Sequence, residues 1–116
     1  MGVKIAIATD DGETVRFGHF GGAEYFYIYK LENEPLLLEK RKNLVKDMEE
    51  EHNSPGKARK VLKLLEDCDI LIAHSMGLKS REFLEKNNKK PYLLKRKNVK
   101  IEEAIEEALR ELKYEI

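Results

Sequence analysis

The chain has 116 residues, 41% of them apolar and 38% charged, and its 22 Lys and Arg balance 22 Asp and Glu to a formal net charge of zero. That size suits one domain over residues 1–116, with a core that needs no disulfide or structural metal. Zero net charge argues against general nucleic-acid binding, which relies on an excess of Lys and Arg to release counterions from phosphates. The single cysteine, Cys68, excludes an internal disulfide and a four-thiolate zinc or iron–sulfur site within one chain.

Val3 to Thr9 is an apolar, β-branched run closed by the turn residues Asp10, Asp11 and Gly12, and it reads as a buried first strand. Residues 12 to 23 carry four glycines and little periodicity, which predicts a long, mobile loop with a short extended piece at Thr14 to Phe17. Glu24 to Leu31 is aromatic and β-branched and predicts a second strand. Glu32 to Pro35 is a hairpin turn, and Leu36 to Arg41 forms the returning strand. Residues 42 to 53 lack an apolar stripe and read as a loop. Ser54 and Pro55 start a helix, because Ser satisfies free N–H groups and Pro is tolerated at the first helical position. Ala58, Val61, Leu62 and Leu65 then give it one apolar face.

Asp67 to Asp69 ends that helix, and Ile70 to Ala73 is the short continuous apolar run of a central parallel strand. A second helix follows over Leu78 to Lys86 and a short strand over Tyr92 to Leu94. Ile101, Ala104, Ile105, Ala108, Leu109 and Leu112 define a last amphipathic helix. The predicted fold class is therefore α/β, a three-layer domain. Its five-stranded mixed sheet has three antiparallel and two parallel strands, and its three helices are divided between both faces. The right-handed crossover rule sets the fourth strand beside the first. No run approaches the roughly 20 apolar residues of a membrane span, and the N-terminus lacks a signal-peptide core, so a cytoplasmic location is expected. The Lys- and Glu-rich surface matches thermophile composition.

This topology sends the 10–23 loop, the 42–53 loop and the end of the fourth strand to one end of the sheet. His19, His52 and His74, all the histidines of the chain, fall there, at the end where open α/β sheets bind ligands. The run Phe17-Gly18-His19-Phe20-Gly21-Gly22-Ala23 lets backbone N–H groups approach a ligand. His74-Ser75-Met76-Gly77 leads into a helix whose first N–H groups attract anions. A histidine-lined, glycine-rich, anion-attracting rim suits a negatively charged metal–sulfur cluster. Plainer readings stand beside this one. Loop histidines are common, Met76 suits a core gap, Tyr25, Phe26, Tyr27 and Tyr29 suit strand packing, and Lys95 to Lys97 suits a solvated loop.

The run Val15 to Tyr29 resembles the HFGxAxxFxIY signature of the dinitrogenase iron–molybdenum cofactor family. The opening Val3-Lys4-Ile5-Ala6-Ile7-Ala8-Thr9-Asp10-Asp11-Gly12, the Asp69 to Gly77 strand-turn and the closing helix are similar as well. The resemblance spans almost the whole chain and implies an RNase H-like fold. It also implies a carrier or chaperone of an iron–molybdenum or molybdenum–copper sulfide cluster, bound noncovalently or through histidine and separable from the protein. A cluster donor or recipient protein would be its partner. The site it implies comprises His19, Phe20, Gly21, Gly22, Ala23, Ser75, Met76 and Gly77, and the shared sheet end adds His74 and His52 to His19 as candidate metal ligands. Members commonly carry a GxGMG-like turn where this chain has His74-Ser75-Met76-Gly77, which adds an imidazole and a hydroxyl.

Two other functions compete. A two-metal nuclease needs converging carboxylates, and candidates are few: Asp10, Asp11 and the run Glu49 to Glu51 fall at the histidine end, whereas Asp69 begins its strand at the opposite end. A metal-free protein-interaction or regulatory module fits the charged surface. The expectation adopted is a non-catalytic carrier that binds neither nucleic acid nor membrane.

Overall fold

The computed structural model describes residues 2–47 and 56–113. Its elements are β1 (Val3–Thr9), a 3₁₀ turn (Phe20–Gly22), β2 (Tyr25–Leu31), β3 (Pro35–Lys42), α1 (Gly56–Leu64), β4 (Ile70–Ala73), α2 (Leu78–Lys86), β5 (Lys90–Leu93) and α3 (Ile101–Glu111). The sheet order is β3-β2-β1-β4-β5. β1 pairs antiparallel with β2 and β2 with β3, while β4 runs parallel to both β1 and β5. The expected five-stranded mixed sheet is present, with β4 beside β1.

Alternation along β1 explains the three layers. Ile5 and Ile7 face one side with Ile70 and Ile72 of β4, where they pack under Ile101, Ile105 and Leu109 of α3. Ala6 and Ala8 face the other side with Leu71 and Ala73, beneath Val61 of α1 and Leu84 of α2. Small alanines on that face let two helices approach the sheet, and bulky isoleucines on the other meet the broad apolar stripe of α3. Both faces of β1 and β4 are thus buried, as a central strand pair requires. Cys68 is buried on the α1–α2 side, and burial pushes its thiol up to about 12.

Element limits differ from expectation at a few ends. β5 begins at Lys90, because its ladder with β4 opens at Lys90 opposite Ile70, and Pro91 lies inside it. An edge strand tolerates that proline, which only removes an unpaired donor. β3 begins at Pro35 and β2 at Tyr25. The 3₁₀ turn is an element the glycine-rich sequence did not announce. Ser54 and Pro55, read as the start of α1, lie outside the described residues. Among the described residues, no helix is long and apolar enough to cross a membrane.

Candidate functional site

The loop after β1 is built by local side-chain hydrogen bonds. Asp11 Oδ1 accepts the N–H groups of Glu13 and Thr14 at 2.8 Å each, and Thr9 Oγ1 accepts the Gly12 N–H at 2.9 Å. Those donors hold the Asp11 carboxyl down at about 2. The chain then returns across the sheet end, with Arg16 N–H on the Ala8 carbonyl at 2.8 Å. Phe20 drives into the α1–α2 layer, 3% exposed, its ring centroid 4.9 Å from that of Phe26. That anchor leaves its neighbour His19 exposed at the surface.

His19 and Ser75 form an isolated parallel bridge between the first loop and the turn after β4. Phe20 N–H donates to the Ser75 carbonyl at 2.8 Å, and Ser75 Oγ lies 3.3 Å from His19 Nδ1. Arg16 clasps the loop from behind, donating through Nε to the His19 carbonyl at 3.1 Å while pairing with Asp10 at 2.7 Å. Asn43, 2% exposed, donates through Nδ2 to the carbonyls of Gly21 and Ala23 at 2.9 Å each. The four-glycine loop, expected to be mobile, is therefore tied along much of its length.

A narrow cleft opens between this loop, the first turn of α1 and the start of α2. His19, Phe20 and Gly21 line one side, Lys57 and Val61 another, and Met76, Gly77 and Ser80 the third. A Cβ at Gly21 would lie 3.1 Å from Lys57 Cε, so any larger residue there would push the lysine chain by a few tenths of an ångström. The 9%-exposed Lys57 side chain donates from Nζ to the Lys46 carbonyl at 3.0 Å, which holds a cation at the cleft wall. α2 opens at Gly77 without a side-chain cap, and neither α1 nor α2 has an acidic residue in its first turn. α3, which faces away from this cleft, carries Glu102 and Glu103 there. The uncapped start of α2 and Lys57 make the cleft attractive to anions.

The predicted residues separate into groups. His19, Phe20, Gly21, Met76 and Gly77 line the cleft. Gly22 backs onto Arg16, whose Nη2 would sit 3.0 Å from an added Cβ, and Ala23 is fully buried. His74 and Ser75 lie in a second depression, shared with Phe17, His19, Leu94 and Lys95, so His19 stands on the wall between the two. His52 lies outside the described residues. Among the described residues, no group of three His, Cys, Asp or Glu side chains is arranged to hold a metal ion. Of the carboxylates considered for metal-dependent cleavage, Asp10 pairs with Arg16 and Asp11 is consumed by its own turn. Asp69 accepts the Lys4 N–H at the opposite end of the sheet, and Glu49 to Glu51 lie outside the described residues.

Sequence reasoning missed Lys57, Arg16, Asn43 and Ser80. Lys57 had one available signal, since it lies two residues after Pro55, in the first turn of a helix expected to begin at the histidine end.

Solved structures share this architecture. The NMR structure of a Thermotoga protein described as a candidate NifB protein of the DUF35 family superposes with a TM-score of 0.64 at 23% identity, covering 93% of this chain and 88% of that one. The crystal structure of PH0822 gives 0.63 at 15% identity, covering 97% and 93%. At those identities the likeness concerns the fold alone. No protein of curated function matches the chain. The family model for dinitrogenase iron–molybdenum cofactor proteins matches residues 1–111, and the chain belongs to that family.

Proposed function

We propose that the protein is a non-catalytic carrier that holds an anionic, molybdenum- or iron-containing sulfide cluster in the cleft beside His19. The observation that carries the reading is the convergence of Lys57 and the uncapped, acid-free first turn of α2 on a glycine-floored cleft rimmed by the His19 imidazole. Such a donor set suits an anionic sulfide cluster as cargo. N–H groups and a cation meet its charge, soft Met76 sulfur meets its sulfides, and His19 is the imidazole on the rim, among the described residues, available to a metal. The buried, protonated Cys68 thiol is no part of this set.

Membership of the iron–molybdenum cofactor family supports the class of cargo. The sheet order β3-β2-β1-β4-β5, with β2 antiparallel to its neighbours, supports an RNase H-like classification. A cluster donor or recipient protein is the partner this role requires, and the cytoplasm is the compartment that fits it.

The reading is tested by anaerobic optical titration of the protein with tetrathiomolybdate, with and without copper. A saturable spectral change at one equivalent of cluster, weakened about tenfold by His19→Ala or Lys57→Met, is expected. A linear, unsaturating response that neither substitution alters would overturn it.

A further inference from the structure

The depression on the far side of His19 has its own chemistry. His74 Nδ1 lies 3.2 Å from the Leu94 carbonyl, which can only accept, so Nδ1 carries the proton and donates. That fixes the tautomer and leaves Nε2 with a lone pair. Nε2 is buried and is the one buried side-chain nitrogen or oxygen among the described residues without a hydrogen-bond partner. Buried acceptors are rarely left in this state, because an unpaired one keeps its full desolvation cost.

The surroundings narrow what can complete it. Phe17, 62% exposed, packs edge-on against the His74 ring with centroids 5.3 Å apart, and the Lys97 ammonium lies 4.6 Å from its centroid. So exposed a ring has room to swing aside. Leu94 forms a second apolar wall, and Lys95 stands at the rim with no ion pair among the described residues. Among the described residues, no set of His, Cys, Asp or Glu side chains gathers around His74 to hold a metal ion of its own. A fully deprotonated oxyanion would set lone pair against lone pair at Nε2. The chemistry that fits combines an O–H or S–H donor, a short carbon skeleton and a negative charge.

We propose that this depression is a separate binding site for a small hydroxy- or mercapto-carboxylate. Its hydroxyl or thiol donates to His74 Nε2, its carbon skeleton lies between Phe17 and Leu94, and its carboxylate meets Lys95. The site does not depend on the cluster reading, because it shares only His19 with the cleft and draws on none of Lys57, Met76 and Gly77.

The test is long-range ¹H–¹⁵N NMR of the histidine rings during titration with glycolate and with mercaptoacetate. Acetate serves as the probe without the donor, and ethanol as the probe without the charge. A saturable shift of His74 Nε2 is expected with glycolate, mercaptoacetate or both, at an affinity about tenfold above acetate and ethanol. Lys95→Met, an exposed change that leaves the core untouched, is expected to weaken it about fivefold. Equal binding of acetate and glycolate, or shifts that leave His74 Nε2 unmoved, would overturn the proposal. These ring signals are distinct from the Gly21 and Gly77 amides that report the cleft, so failure of one site is separable from failure of the other.

Discussion

Arg16 holds the backbone of His19: its Nε donates to the His19 carbonyl at 3.1 Å while its Nη1 grips Asp10 Oδ2 at 2.7 Å. Asp10 in turn accepts the Glu24 N–H at 2.9 Å, so one ion pair spans the first loop from end to end. The orientation of the proposed cluster-facing imidazole thus depends on a side chain that does not line the cleft.

Arg16→Met separates orientation from folding. The ion pair is partly solvent-exposed, so its loss is expected to cost only about 1 kcal/mol in a urea melt. The His19 and Phe20 amide signals should shift, and cluster affinity should fall about tenfold. Unchanged amide signals in the variant would contradict the clasp.

Two glycine substitutions should behave in opposite ways. Gly12 has φ +78°, and an added Cβ would lie 2.3 Å from Tyr27 Oη. Gly12→Ala is therefore expected to cost about 2 kcal/mol or more, from backbone strain and overpacking together. Gly77 has ordinary φ, and a Cβ there would meet nothing nearer than Ser80 Oγ at 3.9 Å. Gly77→Ala should change stability by less than about 0.5 kcal/mol, while narrowing the cleft mouth and weakening cluster binding. Thermal melts of the two variants check the first contrast.

Acid sensitivity should trace partly to Asp11. Its carboxyl falls from 3.8 to about 2 on folding, because backbone N–H groups of Thr14 and Glu13 bind the charged form. A carboxyl lowered on folding stabilises the protein above its unfolded value and loses that contribution as pH falls towards its folded value. The contribution of Asp11 is thus complete above about pH 4 and disappears between 3.8 and about 2. Asp11→Ala should lower the melting temperature at pH 7 and flatten its decline in that acid window. A parallel decline in both proteins would contradict the assignment.

Cys68 should be inert. The thiol is buried, and desolvation beside the Asp67 carboxylate pushes it up to about 12. Iodoacetamide at pH 8 should label it only as fast as the protein unfolds, since the thiolate is the reactive form. Rapid labelling of the folded protein would place the thiol at the surface and reopen it as a cluster ligand.

Much of the architecture was legible because its determinants are local. The apolar runs of β1 and β4 fixed those strands to the residue, and the spacing of Ile101 to Leu109 marked α3, which ends at Glu111 rather than Leu112. The place of β4 beside β1 followed from the crossover rule. The site was harder to read, because its geometry rests on pairs distant in sequence. Asn43 reaches Gly21 across 22 positions, and Ser75 reaches His19 across 56. Nothing near Asn43 or Arg16 in sequence signals either role. His19 and His74 were correctly sent to one end of the sheet. That they line different depressions, with only His19 common to both, follows from Phe17 and Leu94 closing around His74, which periodicity does not encode.

The central claim is tested most directly by an anaerobic ¹H–¹⁵N NMR titration of the protein with tetrathiomolybdate, following the backbone amides. The account predicts saturable shifts at Gly21, Gly77 and Ser80 and at the His19 ring, abolished or weakened about tenfold in His19→Ala. Shifts scattered over the lysine-rich surface, or none at these groups, would contradict a cluster-binding cleft.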